Sequence, residues 1–322
     1  MAGIRSVLVL GAAELGTAVI EALASHSNCN NETGLFTSMR PSSINSPSSS
    51  KQAQIDHLRA LNVQPIALDV EAGSLSELAQ AFASYDAVIC CTGMAGSPGL
   101  QMKLAQAILE AKTPRYIPWQ FGVDYDVIGP EAADGLFASQ CDVRHLLRSS
   151  GQQTRSVIIS TGIFMSFLFE SLFGIVECSD VRGKLQPLRR VRALGNWQNK
   201  ITATTAEDIG RCTAEVLFNT PAVWQDSSTS LHVVHVAGDT VTFEGLANIL
   251  HEITTAGSIE RQVWSTEFLQ NNIHEEPENA IHKYRMIWAE NRGVAWDVAQ
   301  SFNGQKGIAM TTIRDWAKRT MT

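Results

Sequence analysis

The sequence is poor in charge and has no excess of basic residues. Charged side chains make up 18% of its 322 residues, and 25 Lys and Arg against 32 Asp and Glu give a net charge of −7. It therefore offers neither a basic face for nucleic acid nor a polybasic patch for a membrane surface. The apolar share of 44% is enough for a hydrophobic core and argues against a disordered chain.

Signals for secretion, membrane insertion and metal binding are also missing. The first apolar run is short and is soon interrupted by the charge of Glu14, which does not fit a signal peptide. Residues 157–176 are apolar but contain Glu170 and several hydroxyl groups, so they predict a strand followed by a helix. The six cysteines form no C-x-x-C pair, and His232 and His235 point to opposite faces of one strand. We expect a cytoplasmic protein with reduced cysteines and no metal.

The first half of the chain alternates apolar strands with helical segments. Strands are predicted at residues 6–10, 34–39, 63–70, 85–91, 115–119 and 155–160, with helices at 15–24, 54–61, 75–83, 101–111 and 135–148. Strands that are apolar on both faces and separated by helices indicate a parallel sheet covered on both sides. The predicted fold class is therefore α/β, a doubly wound parallel sheet.

Two segments do not follow this alternation. Residues 40–51 are crowded with serine and contain two prolines, which predicts a loop, either a surface linker or a ligand-binding loop. Residues 181–192 are predicted to be solvated surface because they carry five basic side chains: Arg182, Lys184, Arg189, Arg190 and Arg192. The remaining chain predicts helices at 208–217 and 243–254, a strand at 231–236 and a mostly helical tail from residue 276.

The clearest motif is a glycine fingerprint between the first strand and the first helix. Gly11, Ala13 and Gly16 fit the pattern G-x-G-x-x-G with alanine at the middle position, and Glu14 and Leu15 complete the turn. The first glycine permits a tight turn, a small middle residue admits a pyrophosphate, and the third glycine allows close helix packing. The helix N-terminus then favours the phosphate charge. We predict a dinucleotide site, with a merely tight strand–helix turn as the alternative.

The end of the second strand favours NADP(H) over NAD(H). An NAD site usually has a carboxylate there for the ribose 2′-hydroxyl, whereas residues 37–43 contain none. Arg40 can bind a 2′-phosphate, Ser42 can donate to it, and Lys51 can close over it.

Five segments together resemble the NmrA-like and isoflavone-reductase-like proteins, which are atypical short-chain dehydrogenases. They are the fingerprint, the R-P-S sequence at 40–42, YIPWQFG at 116–122, STGIF at 160–164 and TAEDIG at 205–210. They follow the family's order over essentially the whole chain, and the fungal-type aromatic alcohol reductase branch looks closest. The resemblance implies a Rossmann domain at 1–160 and a smaller α+β substrate domain at 161–322, with 200–220 able to pack back on the first.

The resemblance also implies roles for further residues. The adenine would lie by Asp69 and Val70, the ribose and phosphates by Thr92 and Gly93, and the nicotinamide by Gln120, Phe121, Gly162 and Phe164. A flat aromatic substrate would stack on Trp119, Phe164 and Phe167.

One departure from the family concerns catalysis. Isoflavone-type reductases carry a lysine, thought to act as acid and base, in the helix where this sequence has Gln140. A glutamine can hydrogen-bond a ribose or a substrate but cannot exchange a proton near neutral pH. The nearby candidates for the role are Asp124, Tyr125, Asp126 and His145; Asp142 should point away from Gln140 on the helix.

Three functions remain open from the sequence. The first is an NADP(H)-dependent oxidoreductase of secondary metabolism, transferring hydride to a planar aromatic or heterocyclic imine or conjugated substrate. The second is a redox-coupled isomerase or cyclase, such as an NADP(H)-mediated cycloaddition of the Diels–Alder type in fungal alkaloid biosynthesis. The third is a non-catalytic NADP(H) sensor with a protein partner. A homodimer is compatible with all three.

Overall fold

The computed structural model describes residues 3–29, 32–46, 48–93, 96–181, 184–254 and 259–321. These residues form two compact units, each assembled from separate stretches of the chain. The first unit comprises Met1–Gln120, Asp142–Ile159 and Ile209–Val234, and the second Phe121–Cys141, Ser160–Asp208 and His235–Thr322.

The strands are β1 (Ser6–Leu10), β2 (Gly34–Met39), β3 (Val63–Ala67), β4 (Ala87–Cys90), β5 (Arg115–Ile117), β6 (Arg155–Ser160), β7 (Ile163–Phe164), β8 (Val176–Val181), β9 (Lys184–Leu194), β10 (Lys200–Thr204), β11 (Leu231–His235), β12 (Asp239–Thr242) and β13 (Glu260–Trp264). The helices are α1 (Glu14–Ser25), α2 (Pro41–Ile44), α3 (Ser49–Ala60), α4 (Leu75–Phe82), α5 (Leu100–Ala111), α6 (Tyr125–Ile128), α7 (Ala132–Gly135), α8 (Ala138–Ser149), α9 (Met165–Leu168), α10 (Ala206–Asn219), α11 (Pro221–Gln225), α12 (Phe243–Thr254), α13 (Thr266–Glu275), α14 (Ala280–Ala289), α15 (Phe302–Lys306) and α16 (Ile313–Met321).

The central sheet has seven strands in the order β11-β6-β5-β4-β1-β2-β3. The pairs from β3 across to β6 are all parallel. In β1, Val7, Leu8, Val9 and Leu10 are buried, as expected of a strand covered on both faces. The predicted α/β class is confirmed. Because the chain winds from β1 out to β3 and then returns to β4, the strand order reverses between β1 and β4, where ligands bind in such sheets.

The second unit contains two smaller sheets, β12-β10-β7 and β13-β9-β8. Its core includes a group of packed aromatic rings in which Tyr284 contacts Phe137, Phe167, Phe173 and Trp288 with centroid distances of 5.6 to 6.2 Å. Edge-to-face and tilted contacts of this kind add to the free energy gained from burying the rings.

The serine-rich segment is not the loop that its composition predicts. Helix α2 begins with Pro41 at its first position, where proline's fixed φ suits a helix. Helix α3 follows from Ser49 and buries Ile55 and Leu58, which are three residues apart and therefore share a face. The apolar pair anchors a helix that starts five residues earlier than predicted.

The basic segment at 181–192 is also not uniformly solvated, since most of it forms strand β9. Arg192 is only 9% exposed. Its Nη2 lies 2.5 Å from Oε2 of Glu177, its Nε donates to Gln262, and its guanidinium lies 4.8 Å from the centroid of the Trp264 ring. Partners distant in sequence thus compensate the buried charge. Arg182 lies outside the described residues.

Three features are absent from the part of the chain that the structure describes. No helix there is both long and apolar enough to cross a membrane. No three His, Cys, Asp or Glu side chains come together there as metal ligands. None of the six cysteines, all of which lie within the described ranges, forms a disulfide.

Close packing of α10 on α1 depends on Gly210. A Cβ at Gly210 would lie 2.7 Å from the carbonyl carbon of Ala18 and overlap its oxygen. We expect Gly210→Ala to lower the free energy of unfolding by about 1–3 kcal/mol, because overpacking outweighs the better helix propensity of alanine. Urea unfolding measures this. Gly245→Ala in α12, where the nearest atom is Oγ1 of Thr242 at 3.3 Å, is the control, and an equal loss in both variants would contradict the prediction.

We expect the Glu177–Arg192 ion pair to make the thermal stability of the protein depend on pH. The hydrogen bond from Arg192, followed by Coulomb attraction to Arg192 and Arg190, lowers the pKa of the Glu177 carboxyl below its ordinary value of 4.5. A carboxyl with a lowered pKa stabilises the fold above its ordinary pKa, and this contribution is lost as pH falls through the folded-state value. We expect Glu177→Gln to lower Tm at neutral pH and the difference to shrink below pH 4.5. A constant difference across a calorimetric pH series would argue against it.

Candidate cofactor site

The turn between β1 and α1 requires glycine at two positions. Gly11 has φ +90°, a left-handed conformation, and a Cβ there would lie 3.2 Å from Cγ2 of Thr92. At Gly16 a Cβ would overlap the carbonyl oxygen of Gly11, so only glycine lets α1 begin this close to the end of β1. The backbone NH of Gly11 donates to Oγ of Ser38 at 3.2 Å, which ties the turn to the end of β2.

Helix α1 starts without a side-chain cap. Ala13 occupies the N-cap position, and no side chain there accepts from the first-turn NH groups. Those NH groups and the helix dipole form a site for an anion. Glu14 is exposed, whereas Leu15 and Gly16 are buried.

A cavity of about 450 Å³ lies directly against this turn, within the first unit. Its walls come from the segments that follow β1, β2, β3 and β4, together with α3 and the start of α5. The lining residues are Gly11, Ala12, Ala13, Ser38, Met39, Arg40, Ser43, Lys51, Gln54, Leu68, Asp69, Val70, Glu71, Cys91, Thr92, Gly93, Gly96 and Leu100. It therefore occupies the carboxyl ends of the strands at the switch point.

Two cations line the cavity at the end of β2. Arg40 follows β2 directly, and its guanidinium makes no hydrogen bond within the described ranges. Lys51 donates from Nζ to Oε1 of Gln54 at 3.1 Å, and Nε2 of Gln54 donates to the carbonyl of Ala12. Gln54 thus fastens α3, and Lys51 with it, to the glycine turn.

Both acidic residues that line the cavity accept hydrogen bonds from other residues of the first unit. Asp69 accepts from the backbone NH groups of Glu71 and Ala72. Glu71 accepts from the backbone NH and the hydroxyl of Ser97, and this hydrogen bonding is the main reason that its pKa is lowered, with Lys103 and Arg40 adding Coulomb attraction. Neither carboxylate forms a close ion pair with Arg40 or Lys51 among the described residues, so both cations can face an anionic ligand.

Eight of the residues predicted for the cofactor line this one cavity: Gly11, Ala13, Arg40, Lys51, Asp69, Val70, Thr92 and Gly93. Ser42 does not line the cavity, whereas the next residue, Ser43, does. The sequence interpretation missed Ser38, Ser43 and Gln54. Gln54 could have been found from its spacing of three residues from Lys51, had the helix predicted from residue 54 been extended back to residue 49.

The rim after β4 holds Gly93 and an aromatic ring. Atoms of the Trp119 indole lie 3.6–3.8 Å from where a Cβ on Gly93 would be. Thr92 is fixed by a hydrogen bond from Nε2 of Gln101 to its carbonyl at 2.9 Å. Trp119, predicted to bind substrate, is therefore next to a lining residue.

Gln120, predicted to contact the nicotinamide, lies in the core of the first unit. Its Oε1 accepts from Nε of Arg144 at 2.8 Å, and both side chains are buried. The sequence analysis gave no role to Arg144, because its position in the middle of a predicted helix does not show that its side chain is buried.

Four further predicted residues belong to the second unit. Tyr125 is 3% exposed and packs against Phe137, and Gln140 is 5% exposed, so both are core residues of that unit. Phe121 is buried as well. Phe167 is part of the aromatic group around Tyr284.

Two further residues of this unit were predicted to line the nicotinamide. Gly162 has φ +73° and a Cβ there would collide with the backbone of Thr202, so the position requires glycine. Phe164 precedes α9 as its N-cap and is partly exposed.

Asp124, which was predicted to be catalytic, meets a second titratable group. Its Oδ2 lies 3.0 Å from Nε2 of His235. His232, three residues earlier on β11, instead pairs with Asp226 at 3.4 Å, so the two histidines do have separate partners. His235 was missed as a candidate because only the fold brings it to Asp124.

Sequence comparison matches this chain to a protein family and to a homologue. Residues 5–301 match the NmrA-like family. An NmrA-like family domain-containing oxidoreductase of Gibberella moniliformis is 41% identical over 313 residues, which cover 97% of both chains.

Solved structures show the same fold at low identity. An isoflavone reductase is 18% identical with a TM-score of 0.74, covering 98% of this chain and 99% of that one. AtPrR2 with NADP+ and (+)pinoresinol is 17% identical with a TM-score of 0.73, covering 99% of this chain and all of the other. The family match over nearly the whole chain confirms the resemblance seen in the five motifs: the protein belongs to the NmrA-like family.

Proposed function

We propose that the protein is an NADP(H)-dependent oxidoreductase acting on a planar aromatic or heterocyclic small molecule. The observation that carries this proposal is the cavity at the switch point, where a glycine turn, an uncapped helix N-terminus and two cations converge. The relative from Gibberella moniliformis is itself named an oxidoreductase.

The residues present fit this cofactor. Gly11 and Gly16 keep free of side chains the space that a pyrophosphate needs beside α1. Arg40, Ser43 and Lys51 supply positive charge and a hydroxyl for a 2′-phosphate, and no carboxylate stands where NAD(H) enzymes usually bind the 2′-hydroxyl. When bound, NADPH supplies a hydride.

An aromatic substrate is favoured by the rim of the cavity. Trp119 presents an indole beside Gly93, where it can stack on a flat ring. The structural relative AtPrR2 is described with (+)pinoresinol, an aromatic compound, and this supports the same substrate class for this chain.

A second candidate, an NADP(H) sensor without catalysis, is favoured by one observation. The position of the family lysine holds Gln140, which cannot exchange a proton and is buried. Turnover separates the two candidates, since a sensor binds the cofactor but consumes none.

The charge of Arg40 should decide cofactor choice. We expect Arg40→Ala to raise the Kd for NADPH at least about tenfold and to leave that for NADH nearly unchanged, because a charge-assisted bond to the 2′-phosphate is lost. Calorimetric titration measures both. Arg59→Ala, which removes an exposed arginine paired with Asp56 on α3, is the matched control. Equal weakening of NADPH and NADH would contradict the assignment of the 2′-phosphate to Arg40.

Turnover tests the oxidoreductase itself. We expect NADPH deuterated at the transferable position to label the product when the protein is given aromatic aldehydes, cyclic iminium ions, quinones and pinoresinol. Mass spectrometry of the products reads the label. Tight NADPH binding with no labelled product would favour the sensor, and no binding of either nucleotide would contradict both candidates.

A further inference from the structure

Gln54 connects two parts of the cavity in the first unit, the glycine turn and the side chain of Lys51. Its Nε2 donates to the carbonyl of Ala12, and its Oε1 accepts from Nζ of Lys51 at 3.1 Å. All three residues line the cavity. The Gln54 residue is half-buried, whereas Lys51 is exposed. One amide group therefore joins an exposed lysine to the turn.

The turn is also fixed by contacts that do not involve Gln54. The carbonyl of Ala12 accepts a second hydrogen bond, from Oγ1 of Thr17 at 3.2 Å. The backbone NH of Gly11 donates to Oγ of Ser38 at the end of β2. We therefore expect the turn to keep its conformation when the Gln54 side chain is replaced.

Lys51, in contrast, depends on Gln54 for its position. It lies in the first turn of α3, which contains no acidic residue, and the helix dipole disfavours a cation at this end. Among the described residues its Nζ donates to Gln54 and pairs with no carboxylate. A free lysine side chain loses rotamer freedom when it binds an anion, and an acceptor that already holds the ammonium group reduces this cost.

Helix α3 itself is docked by contacts outside the cavity. Nε2 of His57 lies 2.7 Å from Oε1 of Glu21 on α1, and neither residue belongs to the lining of the cavity. Ile55 and Leu58 are buried beneath the helix. The backbone of α3 is therefore held in place without Gln54.

We propose that Gln54 is a positioning residue for the choice of nucleotide: it anchors Lys51 to the glycine turn and so prepares this cation for the 2′-phosphate of NADP(H). The inference rests on the proposed use of NADP(H). The effect of Gln54 on affinity passes through Lys51. NADH has no 2′-phosphate, so its affinity depends little on this contact.

The test is a calorimetric titration of NADPH and of NADH against the wild type, Gln54→Met, Lys51→Met and the double variant. Methionine keeps the length of the Gln54 side chain and removes both of its hydrogen bonds. We expect Gln54→Met to raise the Kd for NADPH about threefold to tenfold, the range for one lost hydrogen bond, and that for NADH less than about twofold. In the Lys51→Met background, Gln54→Met should have no further effect on NADPH.

Two variants of α3 are matched controls. Gln52→Met is the same substitution two residues earlier, at a side chain that donates to the carbonyl of Ser46. His57→Gln removes the side-chain contact with α1. Neither should change the Kd of either nucleotide. A loss of NADPH affinity in His57→Gln as large as that in Gln54→Met would show that docking of α3 decides the affinity, and would overturn the inference.

Other outcomes also separate the inference from the proposed function. Equal weakening of NADPH and NADH by Gln54→Met would show that Gln54 supports only the turn, and an unchanged Kd for NADPH would show no role. The same loss of NADPH affinity with or without Lys51 would show that the effect bypasses Lys51. Each of these results overturns the inference and leaves the reductase function standing.

The two nucleotides give the remaining decision. A wild type that binds NADPH no more tightly than NADH overturns the inference alone. If NADH binds too weakly to titrate, the comparison of single and double variants on NADPH decides. If neither nucleotide binds, the proposed function and the inference both fail.

Discussion

The close approach of α1 to the end of β1 is the constraint on which the cavity at the switch point depends. It exists because Gly16 brings no side chain against the carbonyl of Gly11, and because Gly11 adopts a left-handed backbone. The uncapped first turn of α1 then faces the space that β2, β3 and β4 enclose with their following segments. Arg40 and Lys51 add positive charge to this arrangement, and Gln54 keeps Lys51 in register with the turn.

Sequence patterns were sufficient for the sheet because its strands are apolar on both faces and separated by helices. Local chemistry also identified the turn at 11–16 and the cation at Arg40. Composition failed at residues 41–44 and at the start of α3, where serine-rich chain predicted as a loop is helical. It failed at Arg192 for another reason. The guanidinium pairs with Glu177 and lies over the ring of Trp264, and neither residue is a neighbour of Arg192 in the sequence.

The same limit explains why the contact between His235 and Asp124 could not be predicted. Asp124 was identified from its neighbourhood in the chain, and His235 was considered only as a metal ligand. Their sequence separation of 111 residues means that nothing local joins them. Gln140 and Tyr125 were selected from the same neighbourhood, and the sequence did not show that both side chains are buried.

The way in which the chain is shared between the two units bears on its biosynthesis. The boundary between units is crossed at residues 120, 141, 159, 208 and 234, so neither unit corresponds to one continuous segment. The last strand of the seven-stranded sheet, β11, ends at His235. During translation the sheet therefore stays one strand short until residue 235 has been made. Until then β6 lacks the strand that covers its edge, and an unpaired strand edge favours pairing with other chains.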